Sequence, residues 1–193
     1  MIGRTRKMLL TLLIVGVTGA VAGFGTYSAF SSTTSNSANQ FAAGTVVIGD
    51  NDAGAAMYDL ENQRPNDAAV KCIQVTYTGS LDADVKLFTT TTTVPAAASN
   101  LTLTIEKGTS TGSTGFPDCG TFTAQGAAIY TGSLYGFQQS KNSYANGIAA
   151  FPGAATKWVS GNALVYRFTV TANDSAAGVD SGEHSFSWEA RNQ

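Results

Sequence analysis

Three stretches of this chain alternate apolar and polar residues with a period of two, which fits a strand with one buried face and excludes an amphipathic helix. Leu101, Leu103 and Ile105 alternate with Thr102, Thr104 and Glu106. Leu164, Tyr166, Phe168 and Val170 run against Arg167 and Thr169, and Phe186, Trp188 and Ala190 against Ser185, Ser187 and Glu189. Further strand candidates are 41–48, 56–60, 70–78, 83–93 and a Thr/Ala stretch over 121–131. In 70–78 the phase changes: Val70 and Cys72 keep one face, Ile73, Val75 and Tyr77 the other, which predicts a bulge. Five successive threonines, Thr89 to Thr93, predict a strand with one exposed face.

Polar turns rich in Gly, Asn and Asp separate these stretches, at 49–54, 64–67, 78–80, 108–115 and 173–182. Only 134–141 has helical spacing, with Leu134 and Phe137 three apart and Gly136 weakening it. About eight short strands predict an all-β, jelly-roll-like β-sandwich. An immunoglobulin domain fits poorly, because neither Trp158 nor Trp188 falls between Cys72 and Cys119.

Ahead of this domain stands a different kind of sequence. Arg4, Arg6 and Lys7 precede an uncharged apolar run, 8–21, which is short for a bilayer span and trails into small residues. The pattern predicts an export signal over 1–28, cut after Ser28 or Ala29. Stretched to Phe24, the same run could serve as a retained anchor; on the signal reading nothing stays inserted in the membrane after cleavage. A segment over 29–40 would then lead into a domain over 41–193. Removing three of the 11 basic residues and none of the 13 acidic ones leaves a formal charge of -5. No basic cluster interleaved with aromatics follows, so nucleic acid is excluded as a partner. Cys72 and Cys119 make an even count, which in an oxidising compartment predicts one disulfide. Closing a loop of roughly 48 residues would contribute about 4 kcal/mol in the chain-entropy account.

The order of segments resembles the TasA/camelysin family of exported bacterial proteins. The resemblance rests on the signal junction Gly25-Thr26-Tyr27-Ser28-Ala29-Phe30, the stretch Phe41-Ala42-Ala43-Gly44-Thr45-Val46, and the ending Ser185-Phe186-Ser187-Trp188-Glu189-Ala190. Two motifs depart from the family pattern: Pro65-Asn66-Asp67 stands for Pro-Gly-Asp, and Tyr77-Thr78-Gly79-Ser80-Leu81 for Asn-x-Gly-Ser-Leu. Asn66 can still take the left-handed conformation that the turn needs. The family implies a jelly-roll subunit of a biofilm-matrix fibre, secreted and assembled with copies of itself by donor-strand exchange, with a minor subunit anchoring or capping it. The donor strand would begin Ala29, Phe30, Ser31, Ser32, Thr33, Thr34 and extend to about Gln40. It holds no proline or charge to resist pairing with an open sheet edge, and Phe30 would be its anchor. A head-to-tail contact of this kind repeats without closing. On composition alone the same segment also reads as a floppy Ser/Thr/Asn leader.

Some relatives carry a metalloprotease label. The chain has one histidine, His184, so the two-histidine zincin motif cannot be built, and no catalytic residue, cofactor or metal is expected. His184 at a strand start reads as a solvated side chain. Asp50, Asn51 and Asp52, with Asp59 and Glu61 near, form the densest oxygen cluster, but Gly54 stands at the third ligand position of an EF-hand loop. A plain Asx turn is expected there. Asn100-Leu101-Thr102 and Asn173-Asp174-Ser175 match the glycosylation acceptor pattern and carry little weight in a bacterial chain. Tyr130, Tyr135, Phe137, Tyr144 and Phe151 invite a carbohydrate-binding reading, that of a monomeric adhesin or binding module, against the plainer one of core packing.

Overall fold

The computed structural model describes residues 44–58, 64–111, 115–174 and 181–192. The signal, its cleavage site at Ser28 and Ala29, and the donor segment beginning Ala29, Phe30, Ser31, Ser32, Thr33 and Thr34 lie outside the described residues. So do Asp59, Glu61 and the first three residues of the Phe41 motif.

Nine strands are described: β1 (Ile48–Asp50), β2 (Ala68–Tyr77), β3 (Asp84–Phe88), β4 (Leu101–Ser110), β5 (Phe122–Ala124), β6 (Tyr130–Ser133), β7 (Ile148–Ala149), β8 (Ala163–Ala172) and β9 (Ser187–Arg191). They form two antiparallel sheets, so the protein is all-β as the alternation predicts. The large sheet runs β1-β2-β8-β4, with β5 and β6 pairing different parts of β4; the small one runs β7-β3-β9. The chain crosses between sheets from β2 to β3 to β4 and again from β7 to β8 to β9, setting β8 between β2 and β4 in the manner of a jelly-roll-like sandwich.

The inward faces of both sheets share one core. Ile73, Val75 and Tyr77 of β2, Leu103 and Ile105 of β4, and Leu164, Tyr166, Phe168 and Val170 of β8 meet Val85 and Leu87 of β3. Phe186, Trp188 and Ala190 close over them from the small sheet. Phe168 touches both Phe186 and Trp188, with ring centroids 4.5 and 6.2 Å apart. One helix, α1 (Leu134–Ser140), forms where helical spacing was seen; Ser133 Oγ accepts the Gly136 N–H at 3.0 Å, and Leu134, Phe137 and Gln138 are buried.

Several strand expectations need correction. β2 pairs β8 without interruption from Ala68↔Thr171 to Thr76↔Ala163, so there is no bulge. The phase change arises because Val70 is exposed while Cys72 is buried on the outer face, beneath a loop. The threonine run is not a strand, for β3 ends at Phe88. Thr89, Thr90 and Thr91 instead gather around the Ser185 hydroxyl, at 3.3, 3.0 and 2.9 Å, and Thr91 Oγ1 accepts the Ser185 N–H at 3.0 Å. Side-chain hydroxyls thus replace the ladder where β3 and β9 part. Residues 44–47 and 56–58 are likewise not strand, β1 beginning only at Ile48, and the Thr/Ala stretch divides into β5 and the first residues of β6.

Cys72 and Cys119 are joined in a disulfide that ties the loop between β4 and β5 to β2, across β8. Under that loop the outer face is covered. Phe122 lies over Gly108, where an added Cβ would meet the Thr123 carbonyl oxygen and the Phe122 ring. The Arg167 guanidinium sits 4.4 Å from the Phe122 ring centroid and its NH2 group lies 2.6 Å from Glu106 Oε2.

Candidate functional site

Two of the motifs compared with the family meet at one corner, the described end of the Phe41 motif and Tyr77-Thr78-Gly79-Ser80-Leu81. Ser80 Oγ accepts the Thr45 N–H at 2.9 Å, and the Thr45 carbonyl accepts the Leu81 N–H at 3.1 Å. The Val47 carbonyl accepts the Thr78 N–H at 2.9 Å. Tyr77, in place of the family's Asn, is wholly buried and sends its hydroxyl over Gly79 to donate to the Leu81 carbonyl. An added Cβ on Gly79 would collide with that phenol, which is why the turn needs glycine there. Asn66 takes a φ of 68°, the left-handed conformation expected of it. The chain that follows residues 1–43 therefore enters the sandwich at a fixed point and leads straight into β1.

β1 and β9 each stand at the end of their sheet. Between them lies a groove of about 290 Å³ lined by Ile48, Gly49, Asp50, Val75, Phe186, Ser187 and Trp188. Four of the seven are apolar side chains, and strand edges bound the groove on both sides. Below it, burial pushes the Tyr166 phenol above its ordinary range, with the neighbouring Trp188 indole opposing the shift. Neither the Tyr166 hydroxyl nor Trp188 Nε1 completes a well-formed hydrogen bond among the described residues. Sequence reasoning missed the groove, since its walls come from stretches far apart in the chain.

The other candidates resolve into structure. The cluster after β1 is an Asx turn: Asp52 Oδ1 accepts the Gly54 N–H at 2.7 Å, and Asn51 Oδ1 accepts the Gln74 N–H at 2.9 Å. Burial, with Asp52 beside it, raises the Asp50 carboxyl. His184, expected as a solvated side chain, is instead half-buried: Nδ1 meets the buried Gln138 amide and Nε2 lies 3.1 Å from Ser181 Oγ. Among the described residues no three His, Cys, Asp or Glu side chains gather as a metal site would require. Phe137 is core, Tyr144 is buried, and Tyr130, Tyr135 and Phe151 pack against the core. Asn173 Oδ1 accepts the Thr102 hydroxyl at 3.0 Å, and Asn100 closes the 3-10 turn before β4. No helix among the described residues is long and apolar enough to cross a membrane.

No curated protein matches the chain. The family described as camelysin metallo-endopeptidase matches residues 5–104, more than half of the sequence and the part that holds the signal-like start, the Thr45 motif, β1, β2 and β3. With that match added to the convergence of motifs at Thr45 and Ser80, the chain belongs to the camelysin family.

Proposed function

We propose that this chain is an exported structural subunit of an extracellular fibre, cut near Ser28 or Ala29, which lends the segment from Ala29 to about Gln40 to the next copy of itself. The groove between β1 and β9 is the observation that carries this reading. It is bounded by two strand ends, floored by Ile48, Val75, Phe186 and Trp188, and sized for an aromatic side chain such as Phe30. The segment that would fill it lies ahead of β1, separated from it by residues 41–47, and is uncharged, so an extended strand can bond to an edge there without burying a charge. Filling its own groove would yield a monomer, and filling a neighbour's yields an open filament. A matrix setting and a minor anchoring subunit belong to the same proposal.

Electron microscopy of the mature chain should show filaments, while a chain beginning at Thr45 should stay monomeric. If both run as the same monomer at high concentration, the strand-lending reading fails.

The family's description favours a second reading, a metallo-endopeptidase of the cell surface. The described residues do not fit a metal centre: both thiols are spent in the disulfide, and His184 is engaged by Gln138 and Ser181. Casein digestion abolished both by a chelator and by His184→Ala would promote this reading over the fibre.

A further inference from the structure

The outward edge of β2 is closed by unrelated pieces of chain. From Cys72 to Thr78, every second amide points away from β8. The Thr78 N–H donates to the Val47 carbonyl at 2.9 Å, and Thr76 pairs with Gly49 of β1. β1 reaches no further than Val75. Beyond it the Gln74 N–H donates to Asn51 Oδ1 at 2.9 Å, and the Cys72 N–H donates to the Pro117 carbonyl at 2.9 Å. Pro117 does not come from a neighbouring strand: it sits in the loop between β4 and β5, and β8 separates β4 from β2.

The described part of that loop bonds within itself. Asp118 N–H donates to the Gly115 carbonyl at 2.8 Å, and the Thr111 and Thr121 hydroxyls are 2.8 Å apart. Among the described residues, Phe116 against the core and the Cys72–Cys119 link are what hold the Pro117 carbonyl over β2. The residues it guards make an inviting template. Between Val70 and Gln74 the only charge is Lys71, and Val70 is 47% exposed. A ten-residue strand with such an edge open would accept foreign strands.

We propose that the Cys72–Cys119 disulfide is an oxidation-dependent seal on the edge of β2, which confines strand addition to the groove between β1 and β9. The clause about the groove rests on the fibre reading above; the seal itself does not. Reduction by a small dithiol breaks the sulfur–sulfur bond. Two electrons and two protons pass to the sulfurs as the Cys72 and Cys119 thiols, and the dithiol becomes a disulfide. The freed loop then lifts Pro117 from Cys72, and β2 offers a second edge.

Amide hydrogen exchange on the mature chain, oxidised and then reduced with dithiothreitol, tests the seal. The Cys72 amide should exchange at least about tenfold faster after reduction while the Thr76 amide, held by β1, stays protected. The Cys72→Ser/Cys119→Ser variant should show the same local loss at residue 72 without reductant. Both chains should also sediment as laterally associated material that the oxidised chain does not form. Unchanged protection at residue 72 overturns the proposal. Faster exchange through every strand does so equally, because the bridge would then be a general staple. An oxidised chain that makes no filaments would count against the fibre reading alone, since the exchange comparison needs none.

Discussion

The two sheets of this sandwich treat their edges in opposite ways. The large sheet is built on three ten-residue strands, β2, β8 and β4, paired in unbroken register. Its β2 edge is covered by β1, by the Asn51 side chain and by the Pro117 carbonyl. The small sheet has β3 between a two-residue strand and the five-residue β9, whose second edge has no strand partner among the described residues. A protein that merely avoided aggregation would cover both. On the proposed function, covering β2 and leaving β9 beside an apolar groove is the layout expected of a subunit that takes up a strand at that groove.

Truncating one aromatic in each sheet gives the largest effect and separates the two roles. Phe168 is fully buried between the sheets, and Phe168→Ala should lower unfolding stability by about 3–5 kcal/mol. Trp188 is half-buried and faces the groove, so Trp188→Ala should cost roughly half as much. Their order should reverse for assembly. Trp188→Ala should keep a cooperative urea transition yet form no filaments, and filaments at wild-type yield would remove the groove from the account.

Alkaline pH should loosen the large sheet before the small one. Burial raises the phenols of Tyr58, Tyr77, Tyr130 and Tyr166, all packed on the large sheet; Tyr144, which donates to the Asp84 carbonyl, is the counterpart on β3. The Tyr58 hydroxyl is also committed, donating to the Phe168 carbonyl at 2.8 Å. A phenol whose folded pKa is raised keeps its proton while the unfolded chain gives it up. The stability it contributes is therefore whole below the unfolded value of 10.0 and declines as pH rises past it. By pH 11 Tyr58 and Tyr166, whose shifts are the large ones, should each subtract about 1.4 kcal/mol. Urea midpoints between pH 8 and 11 should fall less steeply for Tyr166→Phe than for wild type. Parallel profiles would mean the hydroxyl is not held neutral.

How much of this was legible in the sequence depended on the distance over which the cause acts. The alternation at Leu101, Leu164 and Phe186 is a local rule, and β4, β8 and β9 formed where it pointed. Thr89 to Thr93 misled because β propensity was satisfied by other means: Ser185 supplied the hydrogen bonds a partner strand would have. Val70 and Cys72 misled because a face expected to meet water is covered by a loop from beyond β8. The pairing of Cys72 with Cys119 followed from counting thiols. Its placement over the β2 edge did not, and neither did the groove, since both join residues brought together only by the crossovers between sheets.

The smallest effect concerns the charges, which differ little between the sheets. Arg167 and Glu106 pair on the large sheet with side chains 32% and 21% exposed; Lys157 and Asp84 pair beside the small one at 39% and 16%. Water screens both, so each should couple by about 0–1 kcal/mol in a double-mutant cycle. Arg167 has one advantage: its guanidinium also lies on the Phe122 ring, a contact that lysine would reproduce poorly. Arg167→Lys should therefore lose a further few tenths of a kcal/mol that persist in high salt, whereas Lys157→Arg should be neutral. If the two pairs prove equal in both salt regimes, the stacking adds nothing. What distinguishes the sheets would then rest on backbone edges alone.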